Sequence, residues 1–169
     1  MIENSIQMNR FVFLDRDGVI NINRDDYVKS IDEFIFLPHA INAIKKLNDL
    51  GFKIIIITNQ SVINRGIMSE NELKKIHFYM INELNKHDCK IEKIYFCPHR
   101  PDENCSCRKP NLGLMKKALS DFYIDISKSW LIGDSTSDIE LANNVDLKSI
   151  KIERNGNLMN AVKEIEENK

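Results

Sequence analysis

A short apolar run that ends in two closely spaced carboxylates most constrains how this chain can fold. Residues 11–14 read Phe-Val-Phe-Leu and are followed at once by Asp15, Arg16, Asp17 and Gly18. Apolar runs of this length, bounded by polar residues, are typical of buried strands in a parallel sheet. In open α/β sheets the ligand site lies at the carboxyl ends of the strands. The pattern therefore predicts a parallel sheet with both aspartates at its working edge.

The two aspartates are expected to act together. Alternation along an extended chain would place Asp15 and Asp17 on the same side and direct Arg16 away, unless a turn begins here. Gly18 allows the backbone to turn sharply and to approach a ligand closely. Two carboxylates this close need neutralisation, for which a divalent cation is the usual means. A solvated acidic turn is the alternative interpretation of an isolated Asp-x-Asp motif.

Two further apolar runs also end in polar groups suited to phosphate chemistry. Residues 53–61 read Lys-Ile-Ile-Ile-Ile-Thr-Asn-Gln-Ser, a second buried strand that ends in hydroxyl and amide side chains. Neutral donors of this kind hold phosphate oxygens. A third strand, over residues 130–133, is followed by Asp134 and, four residues later, by Asp138. These segments predict several polar groups at one edge of the sheet.

A pair of cations completes the set. Arg108 and Lys109 stand immediately before Pro110, which is placed near the first turn of a predicted helix. Carboxylates from two strand ends, a hydroxyl from a third and a lysine from a loop are what magnesium-assisted phosphoryl transfer requires. Each feature alone is compatible with a polar surface. All of them in this order favour a phosphate-handling site.

These segments resemble the four motifs of the haloacid dehalogenase (HAD) superfamily, whose members mostly hydrolyse phosphate esters through an aspartyl-phosphate. The resemblance spans residues 11–144. It implies a Rossmann-like α/β fold, which agrees with the alternation of predicted strands and helices. It also implies that Asp15 is the nucleophile and Asp17 the general acid and base. Thr58 and Lys109 would bind the transferring phosphoryl group.

The same resemblance implies a magnesium ion held by the carboxylate of Asp15, the backbone carbonyl of Asp17 and the side chain of Asp134. A carboxylate and a phosphate dianion repel each other, so the cation and Lys109 must offset that repulsion. Asp17 must carry a proton when the leaving group departs, which requires a raised pKa. Burial and the neighbouring charge of Asp15 are expected to raise the pKa of Asp17.

A second constellation directly precedes Lys109. Cys97, His99, Cys105 and Cys107 provide three thiols and one imidazole within eleven positions. Zinc in a closed structural site takes four such ligands in a tetrahedron. A disulfide framework and a coincidence of small polar residues are the alternatives, and the paired spacing favours metal. We therefore predict a structural zinc that orders this loop and, through it, the phosphate-binding lysine.

The combined motifs look like one branch of the superfamily, which holds the heptose bisphosphate and histidinol-phosphate phosphatases. Residues 58–66 are similar to the heptose group, although Val62 and Ser135 depart from its usual pattern. The short zinc loop is common in the histidinol group. The resemblance implies removal of the 7-phosphate of D-glycero-D-manno-heptose 1,7-bisphosphate, in nucleotide-activated heptose synthesis for surface polysaccharide. Hydrolysis of histidinol phosphate in histidine biosynthesis is the alternative.

No interruption between the predicted elements is large enough for a separate cap domain, so the site is expected to be capless and open. Tyr27, Arg65 and the zinc loop would then form the rim that selects the substrate. Arg108 is the candidate for gripping a second phosphate or the sugar, because its planar fork suits bidentate recognition. The neutral side chains expected to bind substrate are Asn59, Gln60 and Ser61.

Strands and helices alternate along the chain, which predicts a mostly parallel sheet with helices on both faces. Besides the strands above, strands are predicted over residues 91–96 and 149–152, and helices over 39–50, 69–86, 111–122, 137–144 and 158–167. Three histidines adjoin no motif and are predicted to be structural or solvated, namely His39, His77 and His87.

Composition narrows the functional classes. The 169 residues are most simply one domain over residues 1–169, and the net charge of −1 provides no broad basic field for nucleic acid or anionic membranes. The longest apolar runs are far short of a membrane span, and residues 1–10 lack the apolar core of an export signal. We therefore predict a cytoplasmic, monomeric enzyme acting on a small sugar phosphate, with no nucleic-acid or membrane partner. A nucleic-acid end phosphatase and a noncatalytic zinc-stabilised binding module are the rival classes.

Overall fold

The computed structural model describes residues 8–168 of the chain. We predict that residues 1–10 contain no export signal, and residues 1–7 of this stretch lie outside the described residues. The apolar runs form five strands that pair in parallel, in the order β3-β2-β1-β4-β5. The strands are β1 (Phe11–Leu14), β2 (Lys53–Asn59), β3 (Lys93–Cys97), β4 (Trp130–Gly133) and β5 (Lys148–Lys151).

Five α-helices alternate with these strands. They are α1 (Ala40–Asp49), α2 (Glu70–Asn85), α3 (Gly113–Asp121), α4 (Thr136–Asn143) and α5 (Leu158–Glu167). The bounds of α5 are those that its amphipathic pattern predicts. Ser69 caps α2, since its hydroxyl accepts a hydrogen bond of 3.2 Å from the backbone N–H of Glu72. The predicted strand–helix alternation is confirmed.

The prediction that a helix begins near Pro110 is wrong. The backbone N–H of Asn111 donates to the carbonyl of Arg108 over 2.7 Å and closes a turn there, so α3 begins only at Gly113. Gly113 also donates to the carbonyl of Ser106 over 2.9 Å, and a side chain at this position would clash with that backbone. The chain therefore packs closely on itself before α3 begins.

The two faces of the sheet bury separate apolar clusters. Alternation along β1 sends Val12 and Leu14 to one face and Phe11 and Phe13 to the other. The first face is covered by α1, α2 and α5, and the second by α3 and α4. Because helices cover both faces, the sheet is open at the ends of its strands.

The strand register brings the polar strand ends together. Leu14, the last residue of β1, pairs with Ile56 on β2 and with Ile132 on β4. Asn59 pairs with Cys97, so the cysteine-rich loop starts at the same edge. Among residues 8–168, no additional domain is inserted between the elements, and no helix has the length and apolar character needed to cross a membrane.

Candidate active site

A pocket of about 300 Å³ opens at the carboxyl edge of the strands. It collects most of the residues that the sequence nominates: Asp15, Asp17, Tyr27, Asn59, Gln60, Ser61, Arg65, Arg108, Lys109 and Asp134. Thr58 is buried next to the pocket residue Gln60, and its hydroxyl accepts a hydrogen bond of 2.9 Å from the amide of Gln60. The pocket is therefore polar and is built on three adjacent strands.

A tight turn after β1 sets the direction of the first carboxylates. The carbonyl of Arg16 accepts hydrogen bonds from three following N–H groups, the shortest being 2.8 Å from Ile20. Gly18 has a φ of 84°, and a side chain there would clash with the carboxylate of Asp134. Glycine is therefore required for the chain to turn and for Asp134 to approach β1.

Lys109 lies at the centre of the site. Its ammonium is 3.1 Å from an oxygen of Asp15 and 2.6 Å from an oxygen of Asp138, and it also donates to the carbonyl of Ile57 over 2.8 Å. Burial lowers the pKa of Lys109, but the two carboxylates outweigh that effect and raise it. The lysine is thus a buried, charged group held against the candidate nucleophile.

The amide of Asn59 fixes the backbone of Lys109. Its oxygen accepts from the N–H of Lys109 over 3.0 Å, and its nitrogen donates to the carbonyl of the same residue over 3.2 Å. The sequence predicts that Asn59 is a substrate-binding donor, and Asn59 lines the pocket. Its amide also aligns the lysine, because β2 ends directly beside the loop that carries Lys109.

Asp138 has no role in the sequence-based interpretation, yet it is fully buried in the site. Besides Lys109, it binds Ser135 through the hydroxyl at 2.6 Å and the backbone N–H at 3.1 Å. A side chain at Gly133 would collide with it. The sequence does carry a local signal for a structural role of Asp138, because Ser135 and Asp138 have the spacing of a capping box and form one at the start of α4.

The carboxylates form a site suited to a hard divalent cation. Oxygens of Asp15, Asp134 and Asp138 lie within 4.8 Å of one another. Burial, opposed by the Lys109 charge and reinforced by the surrounding carboxylates, raises the pKa of Asp15 to about 7. Burial also raises the pKa of Asp134. Both oxygens of Asp138 already accept hydrogen bonds, one from Lys109 and the other from Ser135, whereas Lys109 and the N–H of Arg16 reach the same oxygen of Asp15. Asp15 and Asp134 are therefore the candidate oxygen ligands for Mg²⁺.

The expectation that burial and the neighbouring Asp15 raise the pKa of Asp17 is wrong. Burial alone would raise it, but the charge and hydrogen bonds of Arg16, together with donors from Asn21 and Gln60, lower the pKa of Asp17. Arg16 donates to both carboxylate oxygens, at 2.8 and 2.9 Å. The resting Asp17 is therefore an ionised carboxylate.

Arg16 and His77 both lie against the first motif. A turn does begin after Asp15, the alternative that the sequence leaves open, and it brings the side chain of Arg16 onto Asp17 and buries it. His77 does adjoin a motif, since its Nε2 lies 3.1 Å from Nη1 of Arg16. The contact between Arg16 and His77 depends on the tertiary fold, and the spacing of residues in the sequence does not reveal it.

The rim of the pocket carries two arginines. The guanidinium of Arg65 lies 6.0 Å from the ring centre of Tyr27, and its Nε donates to the hydroxyl of Ser61 over 3.4 Å. Arg108 is half-buried and donates to the carbonyl of His99 over 3.1 Å. These cations give the open side of the pocket a positive character, which suits an anionic group.

The four predicted zinc ligands converge beside the pocket. The sulfur of Cys107 lies 3.1 Å from Nδ1 of His99, 3.0 Å from the sulfur of Cys97 and 3.6 Å from that of Cys105. Zn–S bonds of about 2.3 Å imply tetrahedral S–S edges of about 3.8 Å, close to the longest of these distances. Burial raises the pKa of Cys105, but backbone N–H donors including that of Arg108 lower it to about 7. The cluster therefore fits a closed, four-coordinate metal site.

The fold and the site define a HAD-like hydrolase. Residues 106–166 match the family model described as HAD-hydrolase-like. The chain is 38% identical over 141 residues to D-glycero-beta-D-manno-heptose-1,7-bisphosphate 7-phosphatase of Pseudomonas aeruginosa, covering 83% of this chain and 79% of that protein. It is 44% identical to the probable D-glycero-D-manno-heptose-1,7-bisphosphate 7-phosphatase of Thermoplasma acidophilum, covering 83% and 88%. The chain belongs to this family of heptose-1,7-bisphosphate 7-phosphatases within the HAD superfamily.

A solved structure extends the similarity to the whole fold. The D,D-heptose 1,7-bisphosphate phosphatase from B. bronchiseptica, complexed with magnesium and phosphate, superposes with a TM-score of 0.84. The two sequences are 27% identical, and the match covers 95% of this chain and 99% of the other. The presence of both ligands in that protein agrees with the carboxylate pair and the buried lysine seen in this one.

Proposed function

We propose that this protein is a magnesium-dependent phosphatase that removes the 7-phosphate of D-glycero-D-manno-heptose 1,7-bisphosphate through an aspartyl-phosphate. The observation that carries the proposal is the contact of 3.1 Å between the ammonium of Lys109 and the carboxylate of Asp15 in an open polar pocket. A buried cation at this point offsets the repulsion between a carboxylate nucleophile and a phosphate. We infer the substrate from the relatives, which are heptose-1,7-bisphosphate 7-phosphatases by name.

Asp15 performs the nucleophilic step. One of its oxygens forms a bond to phosphorus while the bond between phosphorus and the C7 oxygen breaks, and the electron pair leaves with that oxygen. The departing oxygen takes a proton from Asp17. The product is a phosphoryl group on Asp15 that Lys109 holds by charge, with the hydroxyl of Thr58 assigned to the same group.

Asp17 then acts in the opposite sense. It removes a proton from a water molecule, whose oxygen attacks phosphorus and releases the Asp15 carboxylate and inorganic phosphate. Asp17 is ionised before the reaction, so it takes up a proton from solvent through the open pocket before the C7 oxygen departs. Gln60 lines the pocket and donates to Asp17 over 2.7 Å.

The donor set fits the magnesium that is present in the relative from B. bronchiseptica. Asp15 and Asp134 would hold the ion with their carboxylates, and Asp17 with its backbone carbonyl. A bound divalent cation supplies charge stabilisation to the transferring phosphoryl oxygens. The residues themselves provide orientation, because the absence of a side chain at Gly18 lets Asp134 approach the turn after β1, and Lys109 and Ser135 occupy the oxygens of Asp138.

We assign the second cluster a structural zinc. Cys97 ends β3, and its carbonyl accepts a hydrogen bond of 2.7 Å from the N–H of Gln60, so the loop is attached to the end of β2. Cys107 precedes Lys109 by two residues. Ligands at both ends of the loop would hold it closed, which keeps Arg108 and the catalytic lysine in place.

Substitution of Cys107 by Ser is expected to cause loss of zinc, a lower melting temperature and slower turnover. The lysine then spends less time aimed at the phosphoryl group, so the rate loss approaches that of Lys109→Ala, roughly 10²- to 10³-fold for a removed preorganised donor. Elemental analysis, thermal unfolding and phosphate release measure the three effects. Cys89→Ser is the matched control, because Cys89 lies outside the cluster and should leave about one zinc per chain.

A Cys107→Ser protein that loses zinc but keeps unaltered stability and turnover would contradict the organising role of the loop. Absence of zinc from the unaltered protein, purified without chelators, would contradict the zinc assignment itself.

The proposed reaction is tested by comparing substrates side by side. We expect rapid phosphate release from heptose 1,7-bisphosphate, with heptose 1-phosphate as the other product, and much slower release from histidinol phosphate. Omission of magnesium should stop the reaction. Preferred hydrolysis of histidinol phosphate would identify the alternative member of the branch, and release of the 1-phosphate would contradict the proposed position of attack.

A further inference from the structure

A chain of buried contacts runs behind Asp17 to helix α2. The guanidinium of Arg16 is 1% exposed, and its Nη1 lies 3.1 Å from Nε2 of His77, which is 8% exposed. The imidazole packs against Phe96, with the ring centres 6.1 Å apart. This contact joins residues 61 positions apart in the chain. The catalytic turn is thereby attached to a helix that supplies none of the residues assigned to substrate.

The direction of this hydrogen bond is determined by chemistry. A guanidinium carries only donors, so Nε2 of His77 must present its lone pair to Arg16. Burial, reinforced by the positive charge of Arg16, lowers the pKa of His77 to about 3. The imidazole is therefore neutral with its proton on Nδ1. It serves Arg16 as an acceptor, which an apolar side chain in the same space would not provide.

Nη2 and Nε of Arg16 point at Asp17. Nη2 donates to both oxygens, and Nε lies 3.3 Å from Oδ1. Asn21 adds a bond of 2.9 Å to Oδ1, and its own amide oxygen has no partner among the described residues. Gln60 adds a bond of 2.7 Å to Oδ2. Both oxygens thus accept from Arg16, and the additional donor to Oδ2, Gln60, lines the pocket.

We propose that His77 is a positioning residue for proton transfer, which acts by holding Arg16 against Asp17 so that Oδ2 faces the leaving oxygen. This inference rests on the proposed phosphatase reaction and adds a residue to it. With His77 in place, Arg16 has one orientation, because each side of its guanidinium has a fixed partner. Without the acceptor, Arg16 has an unpaired buried N–H and can rotate away from Asp17, which then loses its alignment.

Two substitutions separate positioning from simple packing. His77→Leu keeps an apolar side chain of similar bulk and removes the acceptor, whereas His77→Gln places a carbonyl oxygen near the position of Nε2. Each protein is assayed on the sugar bisphosphate and on an activated aryl phosphate, whose leaving group needs little protonation. Met80→Leu is the control, because Met80 is also buried, one turn further along α2.

We expect His77→Leu to lower the single-turnover rate of the first, phosphoryl-transfer step on the sugar phosphate by about tenfold, part of the roughly 10²- to 10⁴-fold that a general acid supplies, with little change in the burst phase on the aryl phosphate. His77→Gln and Met80→Leu should retain the unaltered ratio of these two first-step rates. Equal losses in the first step on both substrates, or a His77→Gln protein as impaired as His77→Leu, would overturn the inference. Absence of turnover by the unaltered protein would instead overturn the proposed function, and this role with it.

A measurement on the unaltered protein covers the case in which His77→Leu does not fold. Nitrogen-15 NMR of the imidazoles near neutral pH should show His77 neutral, with Nδ1 protonated and Nε2 hydrogen-bonded as an acceptor. A proton on Nε2 would overturn the inference, because that nitrogen could not then accept from Arg16.

Discussion

Replacement of Asp15 by Asn is expected to abolish turnover while leaving the protein folded. Only a carboxylate at this position forms an acyl phosphate that water can later hydrolyse. The amide has the same shape, and its oxygen still accepts the 2.7 Å hydrogen bond that the backbone N–H of Arg16 now gives to Asp15. Phosphate release and thermal unfolding measure the two parts of this prediction.

The matched control is Asp49→Asn. Asp49 lies on α1, is more than half exposed at 58%, and pairs with Lys45, so its loss should change neither rate nor fold. Asp15→Ala provides a second test in which the side chain cannot revert to a carboxylate by deamidation. Near-normal turnover by either Asp15 variant would contradict the covalent mechanism.

Replacement of Asp17 by Asn should slow the reaction on sugar phosphates by about 10²- to 10⁴-fold, the usual contribution of a general acid. The loss on an activated aryl phosphate should be much smaller in the first step, because that leaving group departs without a proton. Burst and steady-state phases of aryl alcohol release distinguish the two steps. Thermal unfolding is the accompanying check, because the amide cannot accept all the donors that Arg16 and Gln60 now give to Asp17.

Equal losses on sugar and aryl phosphates in the burst phase would remove Asp17 from the acid role. A slow second step on both substrates is expected in any case, since Asp17 is also the base that activates water. The variant should therefore accumulate the phosphorylated protein.

The sequence predicts the fold well because its signals are local. The run Phe11–Leu14 is apolar on both faces, as a strand covered by helices on both sides must be, and β4 and α5 have the predicted bounds. Parallel pairing then places the last residue of each strand, and the residue that follows it, at the same end of the sheet. Asp15, Asn59 and Asp134 meet there without any further information.

The sequence does not reveal the contacts made across the fold. The turn that the carbonyl of Arg16 closes is local, but the side chain of Arg16 meets His77 only because α2 packs over that turn. Asn59 aligns a lysine 50 residues away. The charge and hydrogen bonds of Arg16, with the donors Asn21 and Gln60, lower the pKa of Asp17. The neighbouring charge of Asp15 alone would suggest a raised pKa. Burial and side-chain partners, which only the tertiary structure defines, decide these properties.

Trapping of the phosphorylated protein tests the central claim most directly. The Asp17→Asn protein is mixed with an aryl phosphate and magnesium, quenched in acid during the steady state, digested and analysed by mass spectrometry. The account predicts one phosphoryl group on Asp15, which hydroxylamine removes as expected for an acyl phosphate. A reaction that proceeds while Asp15 stays unmodified, or a phosphoryl group found on another residue, would contradict it.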